Sequence, residues 1–165
     1  MFEIKQRHMT LLRDMGTDIL ASPEMNYERK LLQHGNTSCY RHSIRVACLS
    51  LQLAEIFAIQ VDVRSMIRGA LLHDFFLYDW HAPEPTHRLH GITHPKKALQ
   101  NAERLFSLND IERDIIRKHM FPLTLFPPKY RESLLVCLVD KFCAVEEILS
   151  VRRPQSERVI VNGSD

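Results

Sequence analysis

An apolar helical stretch that ends in an adjacent histidine and aspartate limits how this chain can fold. Residues 66–72 read Met-Ile-Arg-Gly-Ala-Leu-Leu, and His73 and Asp74 follow directly. The aspartate needs a partner, because an isolated ionised carboxylate is costly to bury. Neutral imidazole and carboxylate together suit a divalent metal ion. The simpler alternative is a helix-capping aspartate beside a half-buried histidine, and the rest of the chain bears on that choice.

Length and composition favour one helical domain. The chain has 165 residues, of which 45% are hydrophobic and 25% are charged, an ordinary balance for a globular protein with a single core. It contains only five glycines, and alternating β-branched runs are scarce before the last residues. We therefore predict an all-α, single-domain helical bundle. The formal net charge of +2 gives no indication of nucleic-acid binding.

The cysteines and the N-terminal residues indicate an intracellular protein. The four cysteines form no C-x-x-C pair and no dense framework, so we expect reduced thiols in or near the core. The first residues, Met-Phe-Glu-Ile-Lys-Gln-Arg-His, lack the apolar region of a signal peptide. No run approaches the roughly 18 apolar residues of a membrane span. We expect a soluble, cytoplasmic protein without a membrane partner.

The spacing of apolar residues predicts a series of helices joined by short turns. Thr37 and Ser38, Asp62 and Asn109 are the predicted N-caps of three helices, and residues 34–36 are a predicted turn. The loop over residues 81–91 is long enough to suggest a lid or a wall that faces the substrate. The predicted helices cover residues 2–20, 24–33, 39–58, 63–74, 94–106, 110–119 and 130–150.

Two polar residues fall on helix faces that otherwise point inward. His42 precedes Val46 by four residues and Leu49 by seven, so it shares their apolar face. Asp140 interrupts the apolar run of the last predicted helix, and its helical neighbour Val136 places it on the inside. A buried aspartate in such a run is held by a cation or points to solvent.

Two more histidines complete the set of candidate ligands. His94 precedes a proline at a predicted helix start, and His119 ends a predicted helix, where the helix dipole offers a purely structural explanation. The G-x-S-x-G, H-E-x-x-H and glycine-rich phosphate motifs are absent. Side chains from facing helices of a bundle can converge on one point. The candidates from five successive helices are His42, His73, Asp74, His94, His119 and Asp140.

This order, H…HD…H…H…D in a helical chain, resembles the HD-domain superfamily of metal-dependent phosphohydrolases. The resemblance covers about residues 37–150 and implies a helical bundle of the HD-domain type. It rests on the words RHSIRVA at 41–47, LLHD at 71–74, HPKKA at 94–98, KHM at 118–120 and VDK at 139–141. The domain plan that we predict is N-terminal helices packing on the core over residues 1–36, the HD domain over 37–151, and a tail over 152–165 with a short strand-like piece at 159–161.

The resemblance implies one or two divalent metal ions, which could be Mn, Fe, Zn, Co, Ni or Mg. Asp74 would bridge the two ions, and we assign the catalytic role to Asp74 and His73. The choice of His94 over His90 as a ligand rests on the His-Pro match and stays open. The implied ligands are His42, His73, Asp74 and Asp140 for the first ion, and Asp74, His94 and His119 for the second.

The chemistry implied by two such ions is hydrolysis of a small anionic phosphoester, such as a nucleotide. Two cations about 3.5–4 Å apart lower the pKa of a bridging water and bind the phosphate oxygens. The substrate then needs one more cation, and Asp79 and His81 are further candidates for groups on the substrate side. The candidate cations are Lys141, Arg41 and Arg45, of which Lys141 could equally be a solvated lysine.

Two other functions fit the same ligand pattern. Some HD-type proteins hold two iron ions in these ligands and use oxygen to cleave C–C or C–P bonds, and the ligand set does not exclude iron. A non-catalytic module that binds a nucleotide or a partner protein is the other alternative. The N-terminal helix and the tail could pack either on the core or on a second subunit. The sequence therefore leaves open whether the protein forms a homo-oligomer.

Overall fold

A computed structural model describes residues 5–81 and 89–152 of the chain. Within those ranges the chain is mostly helical, with one short antiparallel pair of strands, so the predicted all-α fold is confirmed. In chain order the elements are α1 (Gln6–Met15), α2 (Thr17–Leu20), α3 (Pro23–Tyr27), β1 (Leu32–His34), β2 (Thr37–Ser38), α4 (Cys39–Ile56), α5 (Val63–Leu72), α6 (His90–Leu105), α7 (Asp110–Lys118) and α8 (Arg131–Arg152).

Helix α5 lies at the centre of the bundle and has His73 and Asp74 at its C-terminal end. It packs against α4 and α7 and also contacts α1, α6 and α8. Most of its side chains are buried, which explains the nearly continuous apolar run in the sequence. Gly69 permits the close approach of α7, because a Cβ there would lie 2.5 Å from Ile115 Cδ1. This packing brings the end of α7 next to the end of α5.

The predicted side-chain caps fix the starts of three of these helices. Ser38 caps α4 and Asp62 caps α5, each by accepting a hydrogen bond from a backbone amide three residues further on. Asn109 and Glu112 form a reciprocal capping box at the start of α7. These caps set where α4, α5 and α7 begin, and therefore where their inward-facing side chains lie.

The first predicted helix differs from the structure. One continuous helix was predicted over residues 2–20. This was wrong, because the helix is interrupted at Gly16 and forms α1 and α2 instead. A Cβ at Gly16 would lie 2.6 Å from Leu71 Cδ1, so glycine allows this segment to pass close to α5. The same glycine weakens the helix at that position. Residues 1–4 lie outside the described ranges.

The second predicted helix, over residues 24–33, was also wrong in extent. Helix α3 ends at Tyr27, and β1 then pairs with β2 around the turn that was predicted at residues 34–36. Gly35 has a φ of 58°, the left-handed conformation that glycine adopts readily. Strands of two and three residues are too short to produce a recognisable period in the sequence.

Helix α6 begins at His90, four residues before the predicted start at His94. Pro95 therefore lies inside the helix, where its missing N–H removes one backbone hydrogen bond without ending α6. The predicted loop over residues 81–91 ends earlier than expected, and most of it lies outside the described ranges. The strand-like piece predicted at 159–161 also lies outside them.

The described helices show no membrane span. None of them combines the length and the apolar character that crossing a bilayer requires. The four cysteines are free and buried, as the sequence predicted.

Asp114 joins α7 to the start of α8, and we expect Asp114→Asn to lower the free energy of unfolding at pH 7 by about 1.5–3 kcal/mol. Its carboxylate accepts from Lys118 Nζ at 2.7 Å and from Lys129 N at 2.8 Å. Burial opposes the charged form, but these hydrogen bonds outweigh it and lower the pKa of Asp114 below its usual value of 3.8. The stabilisation is therefore present above pH 3.8 and is lost as the pH falls through the folded-state pKa.

Urea denaturation of the wild type and the variant between neutral and acidic pH measures this effect. The difference in stability between them should shrink as Asp114 becomes protonated. Asp110→Asn is the control on the same helix, because the Asp110 side chain is 85% exposed and should contribute less than about 0.5 kcal/mol. A difference that stays constant down to the lowest pH would show that the charge of Asp114 is not its source.

Candidate metal centre

The six candidate ligands lie together in the interior, where four helices meet the C-terminal end of α5. Each of them is at most 6% exposed. The first turn of α4 and the end of α5 supply three of them, and α6, the end of α7 and the middle of α8 supply one each. In that order they are His42, His73, Asp74, His94, His119 and Asp140.

All four histidines turn the same ring nitrogen toward the centre of this cluster. Three of them donate Nδ1–H to a backbone carbonyl three or four residues earlier, over 2.7–2.9 Å. His42 Nδ1 lies 3.0 Å from Glu147 Oε2 instead. With the Nδ1 atoms held in this way, each ring in its neutral form would present the lone pair of Nε2 inward, and that form binds metals. The three backbone bonds join His73 to Ala70, His94 to His90 and His119 to Ile116.

Asp74 lies between two groups of these nitrogens and turns one oxygen toward each. Its Oδ2 lies 3.2 Å from His73 Nε2 and 3.8 Å from His42 Nε2. Its Oδ1 lies 3.2 Å from His94 Nε2 and 3.5 Å from His119 Nε2. The carboxylate is therefore common to both groups.

Asp140 completes the first group. Its Oδ1 lies 3.0 Å from His42 Nε2 and 3.5 Å from His73 Nε2. The potential ligand atoms of each group lie within 4.8 Å of one another, so each group could hold a metal ion.

The cluster contains buried polar atoms that make no hydrogen bond in the described part of the chain. His73 Nε2 and Asp74 Oδ1 are two such atoms. The Nε2 atoms of His94 and His119 lie only 2.7 Å apart, although both rings already donate through Nδ1. Lone pairs in this arrangement repel unless a cation lies beside them, and unpaired buried polar atoms are costly. The nitrogen and oxygen donors therefore fit a divalent first-row metal ion.

In the metal-free chain the carboxylates draw protons onto two of the histidines. Burial alone would lower the pKa of His42, but its hydrogen bonds with Asp140 and Glu147 outweigh burial and raise it to about 9. Burial likewise opposes a charge on His73, yet the neighbouring Asp74 raises the pKa of His73 well above 6.5. A metal ion has to displace these protons, so metal affinity should weaken as the pH falls.

Glu147 is a part of the site that the sequence reasoning missed. It is 4% exposed, and its Oε1 lies 3.6 Å from Arg45 Nη1 while its Oε2 bonds to His42. It follows Asp140 by seven residues, which places both carboxylates on one face of α8 two turns apart. That spacing is the signal that could have identified it.

Gln33 on β1 is the second missed residue. Its Nε2 donates to Asp74 Oδ2 at 2.5 Å, and its Oε1 accepts from Cys39 Sγ at 3.5 Å. Gln33 therefore orients the carboxylate that the two groups share. No pattern in the sequence indicated this contact, because it depends on a strand that was predicted as helix.

A cavity of about 710 Å³ opens onto the cluster and gives a ligand access to it. Lys141 lines this cavity, and its Nζ donates to the carbonyl oxygens of His119 at 2.7 Å and Cys137 at 3.2 Å. Of the predicted substrate-binding residues, Lys141 is the one that the described structure brings to the cavity.

The other four predicted substrate-binding residues do not line the cavity in the described structure. Arg41 is exposed, and Arg45 pairs with two glutamates of α8. His81 Nδ1 lies 3.4 Å from Asp79 Oδ1, and the side chains of Asp79 and His81 are 60% and 45% exposed. Arg45 shares a helix with His42 but meets the acidic end of α8, a tertiary contact that its position in the sequence did not indicate.

The structure also separates His90 from His94. His94 Nε2 belongs to the cluster, whereas His90 Nδ1 is hydrogen-bonded to Tyr78 Oη at 2.8 Å. The His90 ring stacks on Trp80 at 4.9 Å between centroids and on His94 at 4.6 Å. His90 therefore forms part of the cavity wall beside the cluster.

Comparison with known proteins gave one match. The family model described as HD domain matches residues 39–145, which is more than half of the chain and falls within the region of the resemblance. No curated protein and no solved structure matches the chain.

Proposed function

The chain belongs to the HD-domain family, and on that basis we propose that it is a metal-dependent phosphohydrolase that cleaves a small phosphoester. The observation that supports this proposal most directly is the carboxylate of Asp74, which turns one oxygen toward each group of histidines. A carboxylate shared by two cation sites is suited to phosphoester hydrolysis, in which both the attacking and the leaving oxygen need stabilisation.

The buried cluster would hold two divalent ions in two overlapping ligand sets. Such ions lower the pKa of a bound water, supply hydroxide at neutral pH and bind phosphate oxygens. The protein contributes rings whose Nδ1 atoms are already fixed, so the ligands are oriented before any ion binds. The first set is His42, His73, Asp74 and Asp140, and the second is Asp74, His94 and His119.

The lining of the cavity favours a phosphoester that carries an apolar or aromatic group, such as a nucleotide. Lys141 offers a positive charge beside the cluster, and hydrogen bonds to two carbonyl groups hold its ammonium in place. Trp80, Met120 and Leu123 add apolar side chains to the same lining. A charged phosphate at Lys141 and an apolar group against this wall would use both features.

Phosphate release from a panel of substrates tests the proposal. The protein is stripped of metal and reloaded separately with Mn, Fe, Zn, Co, Ni or Mg. Each form is assayed with nucleoside monophosphates, sugar phosphates and p-nitrophenyl phosphate. We expect hydrolysis of at least one phosphoester that depends on the added metal. A folded, metal-loaded protein that releases no phosphate from any of them contradicts the proposal.

The same preparations distinguish the two alternative functions. Oxygen uptake by the iron-loaded protein, with cleavage of a C–C or C–P bond, would identify an oxygenase. Saturable binding of a nucleotide without turnover would identify a binding module.

Glu147 should tune metal affinity through His42, and we expect Glu147→Ala to weaken metal binding about 10–100-fold. Its carboxylate accepts the Nδ1–H of His42 at 3.0 Å and so keeps Nε2 free to bind metal. Without it, the His42 ring can rotate or take the other tautomer. Titration of the metal-free protein with a competing chelator measures the change.

Glu146→Ala is the matched control, because Glu146 is the adjacent carboxylate and pairs with Arg45 without contacting His42. Its metal affinity should stay within about threefold of the wild type. Glu147→Gln should recover part of the affinity, since its amide oxygen can still accept from Nδ1. If both alanine variants lost metal affinity equally, the effect would come from the charge of α8 rather than from the contact with His42.

A further inference from the structure

The exposed side of α8 is apolar over most of its length. Between Glu132 and Leu149 every exposed residue of this helix is hydrophobic, with exposed fractions from 41% to 57%. A helix that is apolar on all sides is normally buried on all sides. We name this surface the α8 face; its residues are Leu134, Leu138, Phe142, Val145, Ile148 and Leu149.

The α8 face lies on the side of the helix away from the metal cluster. Leu138 and Phe142 stand two residues before and after Asp140, so each is rotated about 200° from it around the helix axis. Asp140 is buried among the other ligands, whereas these two neighbours are 54% and 44% exposed. The cavity over the cluster therefore does not account for the α8 face.

An apolar groove continues the α8 face toward α4. This groove has a volume of about 240 Å³, and Leu53 and Ile56 of α4 line it together with Leu138 of α8. Ile56 is itself 56% exposed. A hole of this size between two helices is suited to receive an apolar side chain from a third helix, as in knobs-into-holes packing.

We propose that the α8 face and Ile56 form the interface of a homodimer, in which α8 of one subunit packs against α8 of a second copy. These seven side chains expose on the order of 700 Å², close to the roughly 800 Å² that each partner buries in a standard stable interface. The largest apolar patch of a typical monomer covers about 300–600 Å². The α8 face together with Ile56 is therefore larger than the patch that a monomer normally exposes.

The charge of the α8 face favours a second copy as the partner. In a twofold dimer the same surface meets itself, so any charge on it would approach a like charge. Lys141 and Glu146 are the charged residues of α8 that are partly exposed between Glu132 and Leu149, and both already have partners within the chain. Lys141 donates to a backbone carbonyl oxygen, and Glu146 pairs with Arg45.

Residues 153–165 offer less apolar surface than the proposed interface exposes. Residues 153–165 contain three hydrophobic residues, at 159–161, against seven on the proposed interface. A second copy offers seven matching side chains and a groove. It is therefore the occupant that fits in both size and chemistry.

Sedimentation velocity of the full chain over a range of micromolar concentrations tests the dimer. We expect a species of twice the chain mass of 19.3 kDa. Leu138→Glu should raise the dimer dissociation constant at least about 100-fold, since it places a carboxylate at the centre of the interface. Val145→Glu is a second variant, in case Leu138→Glu does not fold, and circular dichroism and metal content establish that each variant is intact.

Leu105→Glu is the matched control, because it makes the same change at a residue that is 39% exposed near the end of α6. It should leave the dissociation constant unchanged. A wild type that stays monomeric throughout overturns the proposal, whatever else covers the face. A dimer that survives both α8 variants, with the variants folded, overturns it as well, because the interface would then lie elsewhere.

Discussion

We expect Asp74→Asn to lower the metal content of the protein from about two ions per chain to nearly none, and metal-dependent phosphate release to fall to the level of the buffer. The reason is that each oxygen of Asp74 serves a different group, at 3.2 Å from His73 Nε2 and 3.2 Å from His94 Nε2. Asparagine has nearly the same shape but is neutral and has one ligating oxygen. It cannot compensate two cations that are buried together.

His119→Ala should have a smaller and more selective effect, with about one ion retained per chain. His119 Nε2 lies 3.5 Å from Asp74 Oδ1 and 2.7 Å from His94 Nε2, so it belongs to the second group only. The first group keeps all its donors in this variant. Inductively coupled plasma mass spectrometry on freshly purified protein measures both contents.

Two buried residues outside the cluster provide matched controls for these losses. Asp114→Asn makes the same substitution as Asp74→Asn at an aspartate that is 8% exposed. His8→Ala removes a histidine that is 3% exposed and bonds to Glu55. Both controls should retain the wild-type metal content, even if they are less stable. Two ions in Asp74→Asn, or none in the wild type supplied with excess metal, would contradict the bridged site.

The sequence predicted most of the helical framework because local signals determine it. Asp62 and Asn109 are caps whose hydrogen bonds span three residues, and both start helices where they were expected. His42 and Asp140 were identified as inward-facing from their helical neighbours alone, and both are buried. Helical periodicity gives the face of a residue, so a set of inward-facing polar residues can be found without knowing the tertiary structure.

What the sequence could not predict depends on contacts between distant segments. Gln33 reaches Asp74 from a short strand, 41 residues earlier in the chain. Arg45 was a candidate substrate ligand because it is cationic and near His42, but it pairs with carboxylates about 100 residues later. Gly16 interrupts a helix where the chain meets Leu71. Each of these features requires knowledge of which helices pack together.

Arg68→Met should lower the free energy of unfolding of the metal-free protein by about 3–5 kcal/mol, the largest stability change that we expect. Arg68 is 3% exposed and lies in the middle of α5. Its Nε donates to Glu112 Oε1 at 2.8 Å, and its Nη1 donates to Asp18. Glu112 is 2% exposed, so removing the guanidinium leaves a buried carboxylate without its counter-charge. The Asp18 side chain is 52% exposed, so its ion pair with Arg68 adds little to the stability.

Two further variants separate charge from packing as the source of this loss. Arg113→Met breaks an exposed pair of the same kind, in which Arg113 Nε lies 2.9 Å from Glu103 Oε1, and should cost less than about 1 kcal/mol. The double variant Arg68→Met, Glu112→Gln should recover much of the lost stability, because it also removes the uncompensated charge. A double variant as unstable as Arg68→Met alone would assign the loss to packing between α5 and α7. Urea denaturation without metal is the appropriate measurement, since bound ions would add their own stabilisation.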